Sequence, residues 1–292
     1  CVPIEGVNEL HVMPVAFNAL SGSQVGTGTH SRHQNSPSRR VVRRFRSLLM
    51  SGRFWLGPLS LPFYRSRFEN LVCQLKPDLV HGLRVPFEGM LAAYAPAQFP
   101  LLISIWGNDL TFHAKGSPLM ARRTRNTLRS AKGLLADATR DIRLGREWGF
   151  NASSPALVVP GGGGVDLQAI GEVKKDREPF KDWLPSDRPL VINPRGFRPG
   201  SVRNDTFFQA VPLVLAKRPE VVFACAAMQG QSEAEDWLKK LDIAGNVHLL
   251  PYLPQSSLWN LFKLADLSIS VSEHDGTPNS LLEAMACGCF PI

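Results

Sequence analysis

The chain has 292 residues, a length that suits two ordinary domains. Its hydrophobic and charged fractions, 44% and 20%, describe a globular protein able to bury a core, and no apolar run reaches the ~18 residues of a membrane-spanning helix. The net charge of +8 is lopsided: residues 1–165 carry 20 basic and 9 acidic side chains, whereas residues 166–292 carry 13 and 16, so the two halves are expected to meet different partners.

The opening residues, CVPIEGVNELHVMP, have neither the basic start nor the apolar stretch of a secretory signal. A first residue of Cys1 rather than Met predicts that upstream sequence is missing. The five cysteines are odd in number and fit no zinc spacing, which points to reduced thiols in a cytoplasmic protein.

The first element is a strand, VNELHVMPV. Residues 21–40 are Gly/Ser-rich and polar, and predict a mobile loop. A helix follows over SRRVVRRFRSLLMSG, with Val41, Val42, Phe45, Leu48 and Leu49 at helical spacing and Gly52 as its stop. Arg39, Arg40, Arg43, Arg44 and Arg46 fill the other side. Then strands and helices alternate. KPDLVHG is a strand, PFEGMLAAYAP a helix, and FPLLISIWGND a strand ending in polar residues. SPLMARRTRNTLRSA is a helix capped by Ser117 with Pro118 at its first position. GLLADA is a strand, TRDIRLGREWG a helix from Thr139 to Gly149, and PALVVPGGGGVD a strand running into four glycines.

The pattern restarts beyond those glycines. Strands RPLVINPRG, EVVFACAAM, NVHLLPYL and DLSISVS alternate with helices NDTFFQAVPLVLAKRP, EAEDWLKKLDI, SSLWNLFKLA and PNSLLEAMACG. Alternation with buried-looking strands predicts parallel sheets covered on both faces. The expected organisation is two doubly wound α/β domains, 1–165 and 166–292, facing a cleft across a Gly-rich hinge. Sheets of this kind bind ligands at the carboxyl ends of their strands.

The last segment, HDGTPNSLLEAMACGCFPI, has the makings of such a site. Gly276 permits close backbone approach, and Pro278 suits a first helical turn. The amides of Asn279 and Ser280 then fall among the unpaired donors of a helix start, which attract phosphate. Glu283 lies one turn further in, within reach of sugar hydroxyls, and Asp275 precedes the turn. INPRGFRPGSVRND adds Arg195 just past a strand and Arg203 at the start of a helix, two guanidinium groups able to clamp a diphosphate.

SEHDGTPNSLLEAMACGCFPI resembles the signature of retaining glycosyltransferases of family 4, which have the GT-B fold. KPDLVHG, SIWGNDL, VVPGGGGVDL and INPRG are similar to other blocks of that family in the same order, so the resemblance spans roughly residues 76–292. It implies two Rossmann-like domains, both incomplete here, because the family's Gly-rich opening strand and closing helix are absent from this sequence. It implies transfer of a sugar from a nucleotide-diphosphate-sugar to an acceptor hydroxyl, without cofactor or metal ion. Glu283 would hold the ribose, Asp275 would stand beside the donor sugar where the family usually has Glu, and Gly276, Thr277, Pro278, Asn279 and Ser280 would cradle the diphosphate with Arg195 and Arg203. The catalytic candidates are Asp275, Glu283 and Asp109; on the acceptor side stand Gly107 and Asn108, and Trp106 occupies the place where the family often has a His, for which His81 and His113 are the candidate substitutes. Two alternatives are a sugar-nucleotide-binding scaffold without catalysis and an inactive fragment.

Acceptors in the family are often glycans or lipid-linked molecules, as in polysaccharide biosynthesis. The basic helix near 39–50 then reads as a peripheral contact with an anionic membrane. Nucleic acid is not an expected partner, because the basic run lacks interleaved aromatic residues.

Overall fold

The computed structural model describes residues 9–11, 13, 46–159, 164–185, 187–198 and 201–292. Most of the expected first strand, the polar loop and the arginines from 39 to 44 lie outside these residues; the described residues 9–11 and 13 are not in a strand. The chain packs as two compact units: residues 1–105, 109–135 and 142–157 form one, and residues 158–292 form the other together with the short segments 106–108 and 136–141.

The first unit has a four-stranded sheet: β1 (Val80–Gly82), β2 (Leu101–Ile105), β3 (Gly133–Ala136) and β4 (Ala156–Val158), in that spatial order. β1 and β2 run parallel, with Val80 opposite Leu101. Helix α1 (Arg46–Ser60) does not stop at Gly52 as the sequence predicts but continues through Gly57 and Pro58. The continued turn packs on the core: a Cβ at Gly57 would fall 2.4 Å from the Phe87 ring, so glycine there lets the helix seat directly on that side chain. Phe54, Leu61, Phe87, Met90, Leu91 and Met120 form the core beneath it. After a tight turn at Leu61–Tyr64, α2 (Arg65–Leu75) ends on Lys76 in the left-handed region, φ 46°. Helix α3 (Pro118–Ser130) is capped as its sequence predicts: Ser117 Oγ accepts from the Met120 amide at 3.1 Å and donates to the Phe54 carbonyl at 2.7 Å. Helix α4 spans Thr139–Glu147.

The segment expected as the helix PFEGMLAAYAP keeps α-helical form only over Met90–Ala92. Upstream, Phe87 has φ 63°. Gly82 and Gly89 approach so closely that a Cβ on Gly82 would lie 2.9 Å from the Gly89 Cα, and the turn at Val85–Gly89 bends to fit that crossing.

The second unit has a five-stranded sheet: β5 (Leu190–Asn193), β6 (Val222–Cys225), β7 (Val247–Leu249), β8 (Leu267–Ser268) and β9 (Phe290–Pro291). Their order is β7-β6-β5-β8-β9, and every neighbouring pair is parallel. The helices are α5 (Leu167–Glu172), α6 (Asn204–Leu215), α7 (Ser232–Leu241), α8 (Gln255–Leu264) and α9 (Asn279–Ala286). Period-two alternation sends β5 into two cores. Val191 packs with Phe207, Phe208 and Phe223 on one face, and Leu190 and Ile192 pack with Phe262 and Leu261 on the other. The winding reverses between β5 and β8, and their carboxyl ends open where this reversal leaves a crevice. Among the described residues no helix is long and apolar enough to cross a membrane.

Candidate active site

A cavity of about 510 Å³ lies inside the second unit at the carboxyl ends of its strands. The loop after β5 supplies Arg195 and Arg198, the loop after β6 supplies Ala226 and Ala227, and the approach to α8 supplies Tyr252, Leu253 and Gln255. The turn before α9 supplies Asp275 and Pro278, and α9 itself supplies Asn279, Ser280 and Glu283.

The loop carrying Arg195 is fixed by buried amides. Asn193 Nδ2 donates to Asn204 Oδ1 at 3.3 Å, Asn204 Nδ2 donates to the Gly196 carbonyl at 2.8 Å, and the Arg195 amide donates to Asn193 Oδ1 at 3.2 Å. Gly196 takes φ 61°, a turn that glycine makes without strain. The Arg195 side chain is 7% exposed, and its Nη2 meets Asp275 Oδ2 at 2.5 Å. Its Nε is buried without a hydrogen-bond partner. Leaving such a donor dry costs about 1–3 kcal/mol, so it marks a place where an acceptor is missing. Arg198 stands on the same wall with its side chain open to solvent; partial desolvation, together with the charge of Arg195, lowers its pKa.

Pro278 is the N-cap residue of α9, one position earlier than a first helical turn, and has no capping side chain. The Leu281 amide returns to the Pro278 carbonyl at 2.9 Å. The start of α9 therefore faces the cavity with the positive end of its dipole, and Ser280 Oγ is buried there without a partner. Glu283 lies three residues further on the same helix face, 9% exposed, and its Oε1 accepts from Gln255 Nε2 at 2.9 Å. The polar wall thus has two guanidinium groups, a helix start and a buried carboxylate. Leu253, Leu258, Ala226 and Ala227 make the apolar wall, and Tyr252, 85% exposed, stands at the rim. Ala227 itself is held at φ 58°, an unusual conformation for a side chain other than glycine.

The cavity gathers Arg195, Asp275, Pro278, Asn279, Ser280 and Glu283 from among the residues singled out in the sequence. Gly276 and Thr277 form the turn between them; Thr277 Oγ1 donates to the Asp137 carbonyl at 3.3 Å. Gly107 passes against that turn, where a Cβ would fall 1.9 Å from the Gly276 amide nitrogen.

Arg203 does not line the cavity; the second guanidinium is Arg198. The backbone explains the exchange. The Arg203 amide donates to the Val271 carbonyl and the Glu273 amide to the Ser201 carbonyl, and this stitching turns the Arg203 side chain outward. There it pairs with Asp205 at 2.8 Å and lies 3.8 Å from Glu273. Arg203 in turn pulls the Asp205 carboxyl down to about 2. Arg198, Tyr252 and Gln255 were not singled out from the sequence. Arg198 was legible as the middle of the three arginines in the PRGFRPGSVR block, but nothing in the spacing showed which of them the turn would aim inward.

In the first unit, Asp109 is fully buried. Its Oδ1 accepts from Arg84 Nη2 at 2.8 Å and its Oδ2 from the Val85 amide at 3.0 Å, so it braces the turn at 85–89. His81, on β1, lies 2.8 Å from Ser104 Oγ. His113 is buried edge-on to Phe54 and Phe112, and burial plus the nearby Arg84 and Arg53 push its pKa down to about 3. Asn108 is half-buried and Trp106 is 53% exposed.

Fold and site together define a doubly wound α/β protein with a crevice lined by arginines and a helix start at its strand ends. Residues 175–292, which contain the whole cavity, match the family model described as Glycosyl transferases group 1. The fold is the GT-B type of several solved glycosyltransferases. Sucrose-phosphate synthase from Thermosynechococcus elongatus is 15% identical, with TM-score 0.63 over 80% of this chain and 60% of that one. The α,α-trehalose 6-phosphate synthase from Burkholderia multivorans is 14% identical, with TM-score 0.60 over 82% and 60%. Anabaena Alr3699/HepE in complex with UDP is 16% identical, with TM-score 0.61 over 77% and 62%. The chain therefore spans about three fifths of the length of these structures. No curated protein matches it.

Proposed function

We propose that the chain belongs to a retaining glycosyltransferase of family 4 that moves a sugar from a nucleotide-diphosphate-sugar to an acceptor hydroxyl. The observation that carries this reading is the cavity with Arg195 and Arg198 on one side, the start of α9 on the other, and two buried polar atoms, Arg195 Nε and Ser280 Oγ, left without partners. A diphosphate supplies the acceptors those atoms lack. In the transfer, the bond from the anomeric carbon to the diphosphate oxygen breaks as the acceptor oxygen forms its bond, and the acceptor's hydroxyl proton passes to the departing diphosphate oxygen. Negative charge then collects on the leaving diphosphate. Fixed guanidinium groups and a helix dipole stabilise that charge without having to reorganise. They do so without a metal ion in this reading. Glu283 grips the ribose, and Asp275, beside Arg195, stands where the donor sugar would lie. The solved HepE structures with UDP and with UDP-glucose support a nucleotide sugar as the co-substrate.

Thermal shift across nucleoside diphosphates and their sugars tests this reading, because a ligand that binds the folded state raises the melting temperature. A shift that Arg195→Ala and Glu283→Ala both abolish supports it; a shift that survives both overturns it. Release of nucleoside diphosphate only when an acceptor is present then separates a transferase from a sugar-nucleotide-binding scaffold. The scaffold reading draws on Asp109, whose carboxylate is committed to Arg84 and Val85.

The acceptor in this reading is a glycan or a lipid-linked molecule, and the protein acts in the cytoplasm at the face of a membrane. Trp55, Leu56, Leu59 and Phe63 follow one another at helical spacing along α1 and the turn after it, each at least half exposed, with Arg65 and Arg67 exposed beside them. The arginine run of residues 39–46 precedes this stripe in sequence. An apolar stripe bordered by arginines suits the interface of an anionic bilayer. Flotation with phosphatidylglycerol vesicles but not with neutral ones is the expected result, and equal recovery with both removes the membrane from the account.

A further inference from the structure

We infer that Gln255 is a positioning residue that makes the site select ribonucleotides over deoxyribonucleotides. This inference rests on the reading of Glu283 as the ribose grip. Glu283 is 9% exposed, and its side chain turns about three bonds, so on its own it would trade conformers when no ligand is present. Gln255 removes that freedom from a different element: it is the first residue of α8, and its Nε2 donates to Glu283 Oε1 at 2.9 Å. A helix start is a rigid place for a donor, and the packing of α8 and α9 beside the same sheet fixes the span between the two side chains.

The geometry divides the work of the carboxylate. Oε1 is held by the amide, and Oε2 is left to accept from the hydroxyls of a vicinal diol. A carboxylate accepting two hydroxyl protons makes charge-assisted bonds, and a sugar lacking the 2′-hydroxyl forfeits one of them. Gln255 is itself exposed but lines the same cavity as Glu283, so its amide meets the carboxylate at the cavity wall. Replacing it with leucine keeps the side-chain volume and removes the bond. The carboxylate then turns freely, and its advantage for the diol falls. The diphosphate contacts through Arg195, Arg198 and the start of α9 do not pass through Gln255, so they are untouched.

The test compares Kd for three probes: nucleoside diphosphates (UDP, ADP and GDP), their 2′-deoxy counterparts and inorganic diphosphate. They are measured by calorimetry on the 292-residue chain and on Gln255→Leu and Gln255→Asn. The unmodified chain is expected to prefer the best ribonucleotide over its deoxy form by about tenfold. In Gln255→Leu that preference falls to near one while the inorganic diphosphate Kd stays within about twofold. Gln255→Asn is shorter by one methylene and gives the same collapse of preference. A ribose preference intact in both variants overturns the role of Gln255 and leaves the donor-site reading standing. Equal weakening for all three probes shows only general damage and likewise overturns it. An unmodified chain that binds none of the nucleotides overturns the donor-site reading and this inference together.

Discussion

The strand ends of the two units hold similar residues in opposite states. In the first, Asp109 is saturated: Arg84 and the Val85 amide take both of its oxygens, and the side chain is sealed from solvent. In the second, Arg195 is buried too, its side chain 7% exposed, yet its Nε has no partner, and Ser280 Oγ shares that condition. An acid at a strand end and an arginine at a strand end look equally functional in a sequence. What separates a brace from a binding group is the hydrogen-bonding capacity left over after folding.

Five substitutions sharpen that contrast, and the largest effect belongs to the brace. Asp109→Ala leaves the Arg84 guanidinium and the Val85 amide without their buried acceptor. It is expected to cost about 3 kcal/mol of stability in denaturant unfolding. Nucleotide binding, measured below the new transition, should be unchanged, and an unaltered unfolding midpoint would show that the pair is no brace. Next comes Arg198→Ala set against Arg203→Ala. The first removes a cavity guanidinium and should weaken nucleoside diphosphate binding about tenfold or more. The second removes an exposed, ion-paired arginine and should change it by less than about twofold. The reverse ranking would restore Arg203 to the site.

Asp275→Asn is a finer instrument. Its carboxylate occupies Arg195 Nη2, where a diphosphate oxygen would compete for the same charge. The amide should bind nucleoside diphosphate several times more tightly in calorimetry and transfer sugar more slowly. Weaker binding of the diphosphate itself would contradict this.

The smallest effect is a slope with pH. His113 is held near pKa 3 by burial, below its unfolded value of about 6.5. The unfolded chain therefore binds a proton that the folded chain refuses, and stability falls as pH drops through that window. The contribution is at most about 1.4 kcal/mol per pH unit. His113→Phe should flatten the dependence between pH 6 and 4, and an unchanged slope would assign the acid sensitivity elsewhere.

Much of the second unit was legible in the sequence. There the strand–helix alternation reads directly because parallel strands buried on both faces are nearly all apolar, as LVIN and VFAC are. The site's closing segment was legible for a different reason: a strand, a glycine-proline turn and a helix carry their geometry locally. The pairing of residues 201–203 with 271–273 was not legible, because it joins segments seventy residues apart; that pairing turned Arg203 outward and left Arg198 within. The passage of α1 through Gly52, Gly57 and Pro58 was also hidden. Gly52 reads as a stop, yet the helix runs on through Gly57, where the ring of Phe87 rests.

The claim on which the account turns is that the dry Nε of Arg195 and the Oγ of Ser280 await a diphosphate at the start of α9. Calorimetric titration of a nucleoside diphosphate into the chain and into Arg195→Ala measures this directly. The account predicts binding to the first and its loss, by about a hundredfold or more, in the second. Equal affinity for both would place the nucleotide elsewhere and contradict it.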